Sequence, residues 1–137
     1  MLLQRFFSTK GVSGSLASLG LLVLRIVVSA MMLTHGLNKL SNFSTVSPNF
    51  DPIGIGGPLS LSLVIFAEVF CSIALILGLF TRLATIPLIV AMCVAALVFH
   101  AGHPFVAKEL SLLYLTFYVV ILLIGPGRYS IDRLLWK

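Results

Sequence analysis

Nine lysines and arginines and four acidic residues are spread through 137 positions, so few groups can move a proton or hold a charge. Arg25 and Glu68 stand inside apolar runs, LRIVVSAMMLTHGLNKL at 24–40 and LSLVIFAEVF at 61–70. His35, Lys39, His100 and Glu109 stand near the ends of such runs. A lone charge at the centre of a bilayer costs about 2.5–3.5 kcal/mol on insertion scales, so opposite charges there are expected to pair. A pair of this kind has two readings. It locks two helices in register, or its carboxylate passes a proton beside a fixed cation. On the second reading Glu68 and Arg25 are the catalytic candidates. His35, Lys39, His100 and Glu109 are then the ligand-binding candidates, because imidazole, ammonium and carboxylate groups hydrogen-bond ligand oxygens and exchange protons with them. No metal site is expected: spacing such as H-x₃-H is absent, and nothing besides two span-end histidines speaks for a haem.

The elements that must position these residues follow from composition. Hydrophobic residues make up 59% of the chain and charged ones 9%, with mean hydropathy +1.14. A soluble domain is roughly a quarter charged, so this chain cannot coat a water-facing globule. Nucleic acid is excluded as a partner, since the net charge of +5 forms no basic cluster with interleaved aromatics. Four apolar runs, 16–38, 59–80, 83–101 and 109–125, each approach the ~20 residues that a helix needs to cross a bilayer. The alternation of membrane strands is missing. The expected fold is therefore an all-α membrane protein, an antiparallel bundle of four transmembrane helices.

Punctuation agrees with this division. Pro58 precedes the second run, Pro87 falls near the start of the third, and GPG at 125–127 stops the fourth. Thr81 and Arg82 are expected to form a tight turn between antiparallel neighbours. Ser130 can cap a short C-terminal interfacial helix carrying Ile131, Leu134, Leu135 and Trp136. With four crossings, Arg5, Lys10, Arg82, Arg128, Arg133 and Lys137 share one side, against Lys39 and Lys108 on the other. The positive-inside rule then puts both termini in the cytoplasm and the chain in the plasma (inner) membrane. The VSA at 28–30 resembles a signal-peptide cleavage site, but Arg25 interrupts the apolar stretch before it. Residues 1–15, rich in Ser and Gly, read as a mobile cytoplasmic N-terminus ahead of a transmembrane domain at 16–137. Cys71 and Cys93 lie in apolar runs and read as buried thiols.

Counting inward from the span ends places Arg25 and Glu68 at matched depth near mid-membrane, within pairing reach. At 100° per residue Arg25, Met32, Gly36 and Lys39 form one stripe, Cys93, Ala96 and His100 another, and Glu109 and Thr116 a third. These stripes build a polar funnel from the external face toward Arg25 and Glu68. The external loop 41–58 is longer than a connection requires and is either a lid or a tether. A quinone suits such a site, needing an apolar slot and a few donors near its oxygens.

HGLNKL at 35–40 after LRI at 24–26, the embedded Glu68, LGLFTR at 77–82, His100, Glu109 and GPGRYSID at 125–132 occur in an order that resembles the DoxX family. The resemblance covers about residues 20–135. It implies a four-helix bundle in a bacterial or archaeal plasma membrane, associated with quinone-linked respiratory or sulfur-oxidising complexes, or with thiol-oxidant defence. This chain has no cysteine in an aqueous loop for thiol exchange.

Two functions remain open on these grounds. One is an accessory subunit of a quinone-linked oxidoreductase, without intrinsic cofactor, receiving electrons from a partner and unlikely to catalyse alone. The other is a non-catalytic scaffold or assembly factor for a partner membrane protein, with oligomers compatible with either. A small-solute transporter is weaker, because internal repeats are absent.

Overall fold

A computed structural model describes residues 14–136; the expectation for residues 1–15 lies almost wholly outside them. Four helices are long and apolar enough to cross a membrane: α1 (Ser15–Ser41), α3 (Gly57–Leu77), α4 (Thr81–Phe99) and α5 (Phe105–Ile124). The described residues also hold two short α-helices, α2 (Phe43–Val46) before α3 and α6 (Ile131–Leu135) after α5, and a 3₁₀ turn at Ser47–Asn49. The described residues contain no strand. The four-helix expectation holds with ends moved by a few residues. The turn, however, is not at Thr81 and Arg82. It lies at 78–80, where Gly78 (φ 71°) and Phe80 (φ 47°) both take left-handed backbone. Thr81 and Arg82 already belong to α4.

Helix α1 packs on α3, α3 on α4 and α4 on α5. One core runs through all four, from Leu21 and Met32 of α1 through Leu75, Leu88 and Tyr118 to Ile121. Helix α1 buries Ser18, Leu21, Arg25, Ser29, Met32 and Gly36, a single stripe at three- and four-residue spacing. The apolar residues left outside, such as Leu63, Phe70, Val90, Leu97, Leu113 and Leu123, form the belt that lipid must cover.

Arg25 and Glu68 do not meet. A Cβ at Gly36 would lie 2.9 Å from Glu68 Cβ and 2.7 Å from Val69 Cγ2, so Gly36 is the residue level with Glu68. Arg25 stands eleven residues earlier on α1, about 16 Å away along the axis. It reaches instead the far end of α3, where its Nη2 lies 3.1 Å from the Cβ position at Gly78. Depth counted from predicted span ends failed because α1 has 27 residues against 21 in α3, and its first turns overhang. Those turns run beside the C-terminal segment, where Arg128 Nη1 donates to Ser15 Oγ at 3.1 Å.

Arg25 is 1% exposed and its charge is spent on backbone oxygens. Its Nε donates to Leu75 O (2.7 Å), Nη1 to Pro126 O (2.6 Å) and Nη2 to Tyr129 O (2.7 Å). The last carbonyls of a helix have no partner within it, and a cation there also meets the negative end of the dipole. Asp132 supplies the opposite charge within electrostatic range of Arg25.

The other ends on this face are closed in the same manner. Asp132 accepts from Phe80 N (2.7 Å) and Thr81 N (2.8 Å), capping the N-terminus of α4, while its own N–H donates to Gly78 O at 2.9 Å. Arg82 Nε donates to Leu122 O (3.0 Å) and Nη2 to Leu123 O and Ile124 O at the end of α5. Ser130 Oγ accepts from Arg133 N and caps α6, as expected. Leu134 and Leu135 on that helix and Trp136 at its C-cap stay exposed. LGLFTR and GPGRYSID are therefore two halves of one clasp closed by Arg25.

Gly36 makes a testable demand. Even a Cβ there would lie 2.7 Å from Val69 Cγ2 and 3.0 Å from the Glu68 carbonyl carbon, so Gly36→Val must push α1 and α3 apart. Close helix approach in a membrane rests on such small residues. We expect the Gly36→Val protein to lose about 2 kcal/mol or more of stability, read as thermal unfolding in detergent, in line with overpacking costs.

Candidate functional site

Helix α3 is not uniform. Residues Phe66–Cys71 form a π-helical stretch holding Glu68, and Ala95–Phe99 at the end of α4 form a second. Such bulges re-aim side chains and recur at functional sites. Glu68, 3% exposed, turns toward α1. There Lys39 Nζ donates to Oε1 at 2.9 Å and Oε2 at 2.7 Å, while the lysine side chain keeps 27% exposure. Lysine is long enough to reach down one turn from near the end of α1. Gly36 supplies the close helix approach that brings Glu68 within its reach.

This ion pair forms part of the wall of a cavity of about 420 Å³ between α1, α3, α4 and the start of α5. Met32, Val64, Met92 and Leu110 make it apolar; His35, His100, Ser111 and Tyr114 add polar atoms. His35 stands edge-on to Tyr114 with ring centroids 6.0 Å apart. Tyr114 stacks on Tyr118 at 6.2 Å, and the hydroxyls of both are buried without a hydrogen-bond partner among the described residues. His35 and Leu110 are also exposed, so the cavity opens at the seam between α1 and α5.

The 41–58 segment forms the cavity's roof. Val46, Phe50 and Pro52 line the cavity from it, and Phe50 packs against Phe99 at 5.9 Å. Asp51 ties the roof to the start of α3, accepting from Ile55 N (2.9 Å), Gly56 N (3.1 Å) and Ser60 Oγ (3.0 Å). Partial desolvation pulls its acidity one way. Hydrogen bonds from Gly56, Ser60, Ile55 and Gly54 outweigh it and hold the carboxyl below its ordinary 3.8. A depressed carboxylate stabilises above its unfolded value, and that stabilisation fades as pH falls through the folded one. The roof is therefore expected to be firm at neutral pH and to loosen below about pH 4. A drop in the amide protection factors of Ile55 and Gly56 in acid, corrected for the slower intrinsic exchange there and absent from Asp51→Asn, measures it.

Of the sequence candidates, the structure brings His35, Lys39, Glu68 and His100 to one cavity and leaves two out. Arg25 belongs to the clasp on the opposite face. Glu109 is exposed in the first turns of α5 and does not line the cavity; Thr116 on the same stripe is exposed as well. Helix α5 instead turns Tyr114, Phe117, Tyr118 and Ile121 inward. His103 is exposed, its Nδ1 3.0 Å from Nδ1 of His100. Cys71 is buried in the core and Cys93 half-buried, both as free thiols.

Tyr114 was missed because the acidic Glu109 drew the choice of stripe. The aromatic i, i+4 pair Tyr114 and Tyr118 was the available signal, since bulky side chains at that spacing mark the face a helix buries.

The family model described as DoxX matches residues 20–101. The inner membrane protein YqjF of Escherichia coli is 30% identical over 126 residues, covering 89% of this chain and 96% of its own. A protein of Haemophilus influenzae is 35% identical over 121 residues, covering 83% of this chain and 89% of its own. A membrane protein of Mycobacterium tuberculosis is 29% identical, with 83% and 80% covered. No solved structure matches.

Proposed function

The chain belongs to the DoxX family, and from that premise we propose that it is an accessory subunit of a quinone-linked membrane oxidoreductase, holding the quinone in the roofed cavity. The observation that carries this reading is the Lys39–Glu68 pair set in the wall of a largely apolar slot. A purely structural ion pair has no need of an adjoining cavity. At about 420 Å³ the slot lies within the ordinary range for small-ligand sites, which combine apolar walls with a few placed polar groups.

A bound quinone would supply two-electron, two-proton chemistry, with electrons exchanged through a partner protein. The chain's own groups do the remainder. His35, His100 and Tyr114 can donate to a ring oxygen. Lys39 and Glu68 can trade a proton with it, and Phe50 with Pro52 screen it from water. The lysine–arginine bias supports a plasma-membrane orientation with both termini cytoplasmic and the roof outside.

Purification in native lipid, followed by organic extraction and mass spectrometry, tests the reading. Near-stoichiometric quinone, reduced at least about tenfold in Tyr114→Phe with His35→Phe, is the expected result; a hydrogen-bonded ring oxygen loses that order of affinity with its donors. Phospholipid alone would favour the scaffold reading. That reading has one observation of its own: α5 buries only 17% of its spanning window, leaving a broad face for another membrane protein.

A further inference from the structure

Helix α1 packs on α3, α3 on α4 and α4 on α5, but among the described residues no comparable packing returns from α5 to α1. The bundle is a ring left open on one side. Across that side, at the level of the cavity, His35 of α1 and Tyr114 of α5 stand edge-on at 6.0 Å. Both line the cavity, and so does Leu110, which is 48% exposed and lies one turn nearer the start of α5.

The depth of this opening decides what can use it. Helix α5 has 20 residues and is about 30 Å long, the thickness of the hydrocarbon layer. Leu110 stands five residues inside Phe105 and Tyr114 nine, about 7.5 Å and about 13.5 Å below that end. The gap between α1 and α5 therefore faces acyl chains rather than water. An exposed imidazole at that depth is out of place against lipid, since ionisable side chains in spans turn to a partner or a cavity. A second unsatisfied group lies behind it. The hydroxyl of Tyr114, a residue 5% exposed, has no hydrogen-bond partner among the described residues, and buried tyrosine hydroxyls usually have one. The charged lining residues, Lys39 and Glu68, are bonded to each other. The wall thus offers an entering molecule hydrogen bonds and apolar contact, but no uncompensated charge.

We propose that the α1–α5 gap is a lateral portal through which an uncharged lipid of the roof-side leaflet inserts its oxygen-bearing head, leaving its tail among the acyl chains. Tyr114 donates to the head oxygen, His35 stands beside it at the threshold, and Leu110 meets the first carbons of the tail. A cavity of about 420 Å³ takes a small head of this kind. It does not also take a chain long enough to cross one leaflet, about 15 Å, so the tail has to leave by the gap. Phosphate and carboxylate heads are disfavoured, because burying their charge requires a cation and Lys39 already serves Glu68. The inference rests on the proposed reading of the cavity as a ligand site and adds the ligand's class and route, whether or not the head is a quinone.

Photolabelling of the full chain in phosphatidylcholine nanodiscs tests the portal. Three probes carry the same decyl chain with a diazirine near the head: a benzoquinone, a glycerol ether and a phosphate. The uncharged probes are expected to label 28–39 and 107–117 well above the segment around Val90, an α4 residue 57% exposed in the lipid belt. Tyr114→Phe should lower that excess about fivefold, the worth of one hydrogen bond. Leu110→Trp, which narrows the gap, should remove it, and Val90→Trp should leave it unchanged. Unchanged melting of these variants shows that lost labelling is not unfolding, and the wild-type pattern is decisive even where a variant fails to fold. Labelling of the gap by the quinone alone supports both the portal and the quinone reading. Labelling by the glycerol ether alone supports the portal and overturns the quinone reading. Even labelling around the belt by both uncharged probes overturns the portal, and equal labelling of the gap by the phosphate overturns the uncharged class.

Discussion

Replacing Arg25 by leucine is expected to cost about 2–6 kcal/mol of stability, from two orphaned carbonyls, Pro126 O and Tyr129 O, at about 1–3 kcal/mol each. Pro126 and Tyr129 lose the donor that holds the C-terminal segment beneath the bundle, and Leu75 loses its contact with Nε. In water such carbonyls would be rehydrated; next to the hydrocarbon they have no alternative partner. Arg25→Lys recovers part of the loss at best, because one ammonium cannot fork to three oxygens on two segments. Asp132→Ala should act in the same direction, uncapping Phe80 and Thr81 and removing the nearby negative charge. Denaturant titration in detergent measures the stability. Proteolysis between 125 and 136 reports whether the clasp has opened. Adding Glu68→Leu brings no rescue: groups that far apart without shared partners couple by less than about 0.5 kcal/mol.

That absence of rescue marks where sequence reasoning ran out. Long apolar runs make four spanning helices legible, and short connections make neighbours antiparallel. Relative depth is another matter. It depends on where each helix leaves the hydrocarbon, and the overhang of α1 past the end of α3 leaves no trace in hydropathy. An error of eleven residues in register, the separation of Arg25 from Gly36, moved Arg25 from the terminal face to mid-membrane. Its true partners are backbone oxygens, which every residue has, so no side-chain pattern could announce them. Lys39 was legible as a member of the cluster but not as the partner of Glu68. That pairing depends on Gly36 admitting α3 so closely that a lysine on the next turn reaches over it. The motif HGLNKL thus encodes three things: an imidazole facing Tyr114, a helix contact and a cation. Only the first and last have side chains to read.

The ion pair itself predicts an asymmetry. Lys39→Met leaves Glu68 nearly inaccessible and without a cation, and a buried charge that has lost its partner is strongly destabilising. We expect a loss of about 3 kcal/mol, read as denaturant unfolding in detergent. The reverse change, Glu68→Gln, costs less, because Lys39 retains an exposed quarter of its side chain and can swing toward water. Removing both charges with Lys39→Met and Glu68→Leu should restore stability to within about 1 kcal/mol of wild type, as apolar replacements of buried pairs commonly do. Such a protein separates packing from chemistry. If it folds, keeps the roof ordered and still retains its cavity ligand at the wild-type ratio, the pair is only a lock between α1 and α3. If it folds but no longer retains the ligand, Lys39 and Glu68 are the groups that hold it, since the apolar walls and the histidines are unchanged.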